Sequence, residues 1–327
     1  MKVLVCGGAG YIGSNMTAIL AGQGHEPIVY DNLSKGHAAA VKDVKLIEAD
    51  LADYDTLLRT LKREKIEAVM HFAALIEVGE SVVEPLKYYE NNFCNTLNLL
   101  KAMAAAGVEK FVFSSTAAVY GMPRTVPITE DLTKLPINSY GQSKWAVERM
   151  CHFQTQTGKL RYAALRYFNA CGAGCNGRLG EDHDPESHLI PLVIAAAMGR
   201  REDIKIFGTD YPTPDGSCVR DYIHIEDLCA AHLLALKKLE DEVELTYNLG
   251  NGKGYSVRQV IETVKKVSGK DFKVVETYRR PGDPAVLTAD ATGAINELGW
   301  KIKYPELETI VETAWQWHNK YPDGYME

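Results

Sequence analysis

A chain of 327 residues, 46% hydrophobic and 24% charged, has the composition of an ordinary globular protein, long enough for one large α/β domain or two smaller ones. Its net charge of −7 argues against an overall nucleic-acid or anionic-membrane surface, so any anionic ligand must be met by local arginines and backbone dipoles. No apolar run reaches the length that spans a bilayer, and Met1 leads at once into strand-forming sequence without a basic, apolar leader pattern; the expectation is a cytoplasmic protein.

The chain opens with Lys-Val-Leu-Val-Cys (residues 2–6), a short apolar run of β-formers that reads as a buried parallel strand. Gly7-Gly8-Ala9-Gly10-Tyr11-Ile12-Gly13 follows, then an amphipathic helix to Leu20 that Gly22 and Gly24 end, then a strand over 27–30 closing in Asp31-Asn32. Strand, glycine turn, helix, strand and acid make a dinucleotide-binding unit. Two glycine registers are open, G-x-G-x-x-G from Gly8 or G-x-x-G-x-x-G from Gly7. In either, the glycines let the backbone approach a pyrophosphate seated on the free N–H groups of the helix N-terminus. A carboxylate at Asp31 suits the ribose diol of NAD and repels the 2′-phosphate of NADP, although nearby Lys35 softens that choice.

The alternation continues. Residues 44–49 read as a strand ending at Asp50-Leu51, 54–63 as a helix, and 68–72 as a strand running into His71-Phe72-Ala73-Ala74. A long helix over 85–106 carries Asn91; strand 110–114, helix 140–157 and strand 160–166 follow. Strands separated by helices imply an α/β, doubly wound parallel sheet of Rossmann type. Ligands of such sheets lie at the carboxyl ends of the strands, where Gly7, Asp31, Asp50, Ala73, Ser114 and Tyr167 fall.

After Asn169 the rhythm breaks. Residues 171–187 are a Gly-rich polar loop, followed by a helix over 188–200, a strand over 204–207 and the segment Val219-Arg220-Asp221-Tyr222-Ile223-His224. The expected organisation is a dinucleotide-binding domain over 1–170 and a smaller α+β lobe over 171–327, with the segment around 219–245 packing back on the first. The seven cysteines are odd in number and mostly set in apolar segments, which suits buried, reduced thiols. Cys171 and Cys175 with His183 and His188 fit no standard zinc spacing, and no metal is expected.

Between Ser114 and Lys144 lie the candidate catalytic groups. Tyr140 and Lys144, four apart on a helix, share one face. A phenol with an ordinary pKa near 10 needs help to act as a base near neutrality, and an adjacent ammonium favours the phenolate. A hydroxyl at the end of the preceding strand (Ser114-Ser115-Thr116) is placed to orient a substrate alcohol.

Gly7-x-x-Gly10-x-x-Gly13, Ser114-Ser115-Thr116, Tyr140-x-x-x-Lys144, Arg166-Tyr167-Phe168-Asn169 and Val219 to His224 together resemble the extended short-chain dehydrogenases. The strings Val78-Gly79-Glu80-Ser81 and Ile206 to Thr213 are similar to those of the UDP-glucose 4-epimerase branch, and the resemblance runs from residue 2 to about 325. It implies NAD-dependent interconversion of UDP-glucose and UDP-galactose in galactose metabolism: Tyr140 takes the 4-OH proton, C4 is oxidised to a ketone, the sugar turns over, and C4 is reduced on its other face. NAD is regenerated and has no reason to leave. Reaching useful phenolate requires roughly 4 kcal/mol of differential interaction, assigned to Lys144 and the positive nicotinamide.

Carried over residue by residue, the catalytic set is Tyr140, Lys144 and Thr116. The cofactor set is Gly7, Gly10, Tyr11, Ile12, Gly13, Asp31, Asn32, Asp50, Leu51, Phe72, Ala73, Ala74, Asn91, Ser114, Tyr140, Lys144 and Tyr167. Thr116, Asn169, His188, Leu189, Phe207, Arg220, Arg280, Asp283 and Val286 surround the UDP-hexose, with both arginines facing the diphosphate. Thr116 stands where many members have serine, and His188 where some have asparagine. Val286 stands where some have a bulky tyrosine, so N-acetylated UDP-sugars are expected to fit. Sugar-nucleotide dehydratases place an acid pair after the threonine; Ala117-Ala118 here argue against elimination. UDP-glucuronate and UDP-arabinose epimerases remain alternatives, as does a non-catalytic NAD sensor. The resemblance also implies a homodimer built on the helices near 85–106 and 140–157.

Overall fold

The computed structural model describes residues 1–174, 176–280 and 282–326. The chain alternates β1 (Lys2–Cys6), α1 (Tyr11–Gly22), β2 (Glu26–Asp31), β3 (Lys45–Glu48), α2 (Tyr54–Glu64) and β4 (Ala68–His71). It runs through α3 (Val78–Val83), α4 (Pro85–Tyr88) and α5 (Asn95–Ala106) to β5 (Lys110–Thr116), α6 (Ser139–Thr155) and β6 (Arg161–Tyr167). Next come β7 (Asn169–Cys171), α7 (Leu189–Ala197), β8 (Ile204–Phe207), β9 (Val219–Arg220), β10 (Tyr222–His224), α8 (Ile225–Lys238) and β11 (Glu244–Leu249). The remainder is β12 (Tyr255–Ser256), α9 (Val257–Ser268), β13 (Val274–Thr277), β14 (Val286–Leu287), α10 (Thr292–Leu298) and α11 (Leu307–Lys320).

The centre is a seven-stranded sheet in the order β11-β6-β5-β4-β1-β2-β3, and all its pairs are parallel. Helical layers on both faces explain why its inner strands read as unbroken apolar runs. Alternate side chains split between two cores. Val3 and Val5 join Met16, Leu20 and Leu228 on one face; Leu4 and Cys6 join Leu57, Leu99 and Phe111 on the other. A third core, around Ile190, Val193, Val260, Ile261, Ile310 and Val311, belongs to α7, α9 and α11. There α9 starts with a capping box between Ser256 and Gln259 and ends at Gly269 in the left-handed region. None of the six described cysteines is in a disulfide, and five of them are buried. Among the described residues no helix is long and apolar enough to cross a membrane.

Three differences from the sequence reading have local causes. The helix expected over 85–106 is interrupted by a π-helical segment at Tyr89–Cys94. Within it Asn92 turns inward, its amide bonding both Leu75 N and Leu75 O at 2.9 Å, and such widenings often mark functional positions. β5 runs two residues past Ser114, because Ser115 and Thr116 pair with Arg166 and Tyr167. The return of the chain to the main sheet does not stop near 245: β11 pairs with β6 over its whole length, and Ala291, Ala294, Leu298 and Trp300 complete the core beside α8.

Helix α6 is fastened to the sheet by an ion pair with almost no solvent exposure. Arg166 on β6 donates from Nε to Glu148 Oε1 at 3.0 Å and from Nη2 to Glu148 Oε2 at 2.5 Å, and Ser115 Oγ donates to the same carboxylate. Arg166→Met leaves Glu148 buried without its counter-charge. The expected cost is about 3–5 kcal/mol, measured by urea unfolding; a loss below about 1 kcal/mol would show that the pair does not anchor the helix.

Candidate active site

The carboxyl edge of the sheet begins with the turn after β1. Gly7 has φ +74°, and a Cβ there would lie 2.4 Å from Ala73 N. A Cβ on Gly13 would lie 2.0 Å from Gly7 O. These positions admit only glycine, so turn and helix close to contact distance. Gly10 caps α1 without a side-chain hydrogen bond, leaving N–H groups of the first turn for an anion. Phe72 N and Ala73 N both donate to Cys6 O, at 2.8 and 3.1 Å, which draws the small residues 73–74 against the turn. At the end of β2 the buried Asp31 carboxylate accepts from Ala9 N and Leu33 N, each at 2.9 Å. Burial pushes its pKa up, and these backbone donors oppose that. Asn32 Nδ2 donates to Asp50 Oδ2 at 2.7 Å, joining the ends of β2 and β3, with Leu51 buried behind. Tyr11 donates to Gly172 O at 2.7 Å, and Ile12 packs against the core beneath α1. Asn91 Nδ2 donates to Asn92 Oδ1 at 2.9 Å within the π-helical segment. A glycine cradle with an acid at the neighbouring strand end fits a dinucleotide.

Two elements further along, α6 starts at Asn138, whose Oδ1 accepts from Gly141 N at 2.8 Å. Tyr140, Lys144 and Glu148 then recur every fourth residue, on one face. Lys144 Nζ donates to Ser114 O at 2.9 Å and lies 4.8 Å from the Phe113 ring centre. The Thr116 hydroxyl lies close enough to Tyr140 to favour its phenolate, and its Oγ1 accepts from Ala118 N at 3.1 Å. Ser114 Oγ and Tyr167 OH share a short hydrogen bond. The expected lowering of the phenol by Lys144 is not produced by the protein's own groups. Burial pushes the Tyr140 pKa up, with the Thr116 hydrogen bond opposing. Burial also lowers Lys144 from 10.5 to about 7, against the pull of Glu148. Desolvation disfavours both charged forms, and their spacing alone does not offset it.

Beyond β6, Asn169 Nδ2 donates to Asp221 O at 2.8 Å, and β7 pairs with β10. Asp221 is fully buried. Its carboxylate accepts from Asn251 N at 2.7 Å, Ala289 N at 3.0 Å and Gly252 N at 3.1 Å, which sets the strand carrying Arg220. Arg220 pairs with Asp283 and donates from Nη1 to Val219 O at 2.8 Å. The Arg280 guanidinium lies 3.7 Å from the Phe207 ring centre, and Val286 is in register with Val219. Phe207, Arg220, Arg280, Asp283 and Val286 thus share one region. His188 Nδ1 lies 2.8 Å from Glu181 Oε1, and Leu189 packs against the third core, which includes Ile206 and Tyr222. Burial disfavours the His188 imidazolium, but the charges of Glu181 and Glu186 hold its pKa well above the usual value. Of the metal set considered from sequence, buried Cys171 donates its thiol to Ile223 O, Cys175 lies outside the described residues, and both histidines face glutamates.

Sequence reasoning passed over Glu148, Ser115 and the hub role of Asp221. The step from Tyr140 through Lys144 to Glu148 along one helix face was the available signal for the first. The hub role carried none, because its partners lie 30 to 68 residues away.

The model of the NAD-dependent epimerase/dehydratase family matches residues 3–250. This chain belongs to that family. The UDP-glucose 4-epimerase of Halalkalibacterium halodurans is 52% identical, covering 99% of this chain and 98% of that protein. A crystal structure of a UDP-glucose 4-epimerase superposes with TM-score 0.98 at 48% identity, over 100% of both chains. The UDP-glucose 4-epimerase from Brucella ovis, solved in complex with NAD, gives 0.94 at 46% identity, covering 96% of this chain and 97% of that one. The cofactor of the epimerase family is NAD, and the cradle around Gly7 and Gly13 has the form it requires.

The Lys144 value has a measurable consequence. With its pKa near 7 folded and 10.5 otherwise, the unfolded chain binds more protons between those limits. The penalty of burying the ammonium is complete below about pH 7 and is relieved as pH rises. In protein stripped of cofactor, stability should therefore climb between about pH 7 and 10.5, by up to about 1.4 kcal/mol per pH unit from this group. Lys144→Met should remove that slope in urea-unfolding series; an unchanged slope would exclude Lys144 as its source.

Proposed function

We propose that this chain interconverts UDP-glucose and UDP-galactose by inverting C4 of the hexose. The observation that carries the reading is the convergence of Thr116, Tyr140 and Lys144 beside the glycine cradle at one edge of the sheet. Tyr140 exchanges the proton of the 4-OH, Thr116 orients that hydroxyl, and Lys144 is held one helical turn from Tyr140 by Ser114 O. The cradle around Gly7 and Gly13 would hold NAD, which would supply the acceptor for the C4 hydride and, in its reduced form, the donor for its return; the positive ring of the oxidised form would add the charge that Tyr140 lacks from the protein alone. Arg220 and Arg280 meet the diphosphate, the first by exchanging its Asp283 partner for phosphate oxygens. Elimination is disfavoured because Thr116 leads into Ala117-Ala118, a turn with no acid or base at the dehydratase positions.

The purified protein, given UDP-glucose without added NAD, is expected to form UDP-galactose. Tyr140→Phe should keep the fold while losing about 10²- to 10⁴-fold in kcat; retained epimerisation would refute the assignment. Because Val286 is small, UDP-N-acetylgalactosamine should also turn over, and brisk activity on UDP-galactose alone would reject that extension.

The outward faces of α5 and α6 carry Leu97, 38% exposed, and Phe153, 57% exposed, with Leu86 nearby at 81%. Apolar surface of this kind supports a homodimer across these helices. Phe153→Asp is expected to shift the mass measured by light scattering from dimer to monomer. A wild-type monomer would refute this interface.

A further inference from the structure

Glu181, His183, Glu186 and His188, from the loop between β7 and α7, fold back on one another so that one ligand atom of each lies within 4.8 Å of all the others. His188 Nδ1 is 2.8 Å from Glu181 Oε1 and 3.2 Å from Glu186 Oε1. His183 Nδ1 is 3.3 Å from Glu181 Oε1 and 3.6 Å from Glu186 Oε2. A tetrahedral zinc site with bonds near 2.0–2.1 Å has ligand–ligand edges of about 3.3 Å, so these separations already match an ion's coordination shell.

Ion pairing does not satisfy every donor and acceptor of the cluster. Glu181 Oε1 and His183 Nδ1 are buried, yet neither has a hydrogen-bond partner of acceptable geometry. The Glu181 side chain is only 4% exposed. The two carboxylates need two positive charges in a buried setting; in the metal-free protein the imidazolium forms of His183 and His188, both favoured by the glutamates, supply them, and one dication between neutral imidazoles would take their place. Glu186 Oε1 accepts from the backbone N–H groups of Ser187 and His188, both at 2.7 Å, the outer support that metal-binding carboxylates use. A cavity of about 300 Å³ lined by Glu181, His183, Glu186, Trp317 and His318 adjoins the cluster and offers an entry path.

We propose that Glu181, His183, Glu186 and His188 bind one divalent ion of the zinc class as a structural site. Two imidazoles among the donors favour zinc, cobalt or iron over calcium or magnesium, and four protein ligands leave no open position for catalysis. The ion would stiffen a loop tied at several points. Asp182 Oδ2 accepts from Tyr325 N at 2.9 Å, His37 Nε2 meets Asp182 O at 3.1 Å, and Lys35 reaches Asp184 O. It would thus brace the C-terminal segment against the turn after β2.

The full-length protein, stripped with a chelator, is titrated with Co²⁺ alone, and Zn²⁺ is then added as competitor. Expected are one equivalent per chain, the strong visible bands of tetrahedral cobalt, and a thermal midpoint about 5 °C higher at a hundredfold excess over Kd. Glu181→Gln and His183→Gln should each weaken binding by more than about a hundredfold, beyond what loss of an outer partner costs. X-ray absorption of the zinc-loaded wild type, which needs no variant to fold, should show imidazole and oxygen donors. No saturable uptake by the wild type, binding that both variants retain, or sulfur in the coordination shell would each overturn the assignment.

Discussion

The position of the proposed chemistry depends on the buried pairing of Glu148 with Arg166. One carboxylate receives the Arg166 guanidinium from β6 and the Ser115 hydroxyl from β5, so a single side chain ties α6 to two strands. Lys144 and Tyr140 are about one and two turns before Glu148 on the same helix face. Their height above Ser114 and Thr116 is therefore set by that clamp. Arg166 Nη1 also donates to Tyr120 OH at 2.8 Å, and Tyr120 donates to Asn248 on β11 at 2.7 Å. The clamp thus continues to the edge strand. Such a pair adds little net stability against an apolar alternative, but breaking it strands a charge; its contribution is to specify position.

Asp221 does for the second half of the molecule what Glu148 does for the first. Its carboxylate gathers backbone N–H groups from Asn251, Gly252 and Ala289, holding two separate segments around the strand that carries Arg220. Burial pushes the Asp221 pKa up to about 6, with the backbone donors opposing. Arg220, proposed to face the diphosphate, is thus placed by a buried acid that need never touch the substrate.

The electrostatics of the Tyr140–Lys144 pair show why a spacing is not a pKa. Helical periodicity puts the two side chains on one face, but the same packing removes water from both, and desolvation moves each toward its neutral form. An ammonium lowered to about 7 is a responsive partner, readily shifted by any charge that enters the site. A cationic cofactor ring is such a charge, which makes the cofactor part of the acid–base machinery as well as of the redox step.

Much was legible along the chain because it is local. The glycine turn, the apolar runs of β1 and β5, Asp31 at a strand end and the Tyr140–Lys144 step are all written within a few residues, where backbone sterics and periodicity act. The order of the strands, the return of β11 to β6, and the meeting of Asp221 with residues 251, 252 and 289 involve contacts between distant segments that no local period encodes. The π-helical turn at 89–94 depends on Leu75, which lies before α3. Around the loop over 171–187 the sequence reading weighed His183 and His188 with two cysteines and found no zinc spacing, whereas the folded chain turns both histidines toward Glu181 and Glu186. The sequence by itself determined which chemistry each strand end carries; only the tertiary structure decided which buried charges hold those ends together, because burial and counter-charge are properties of the packed chain.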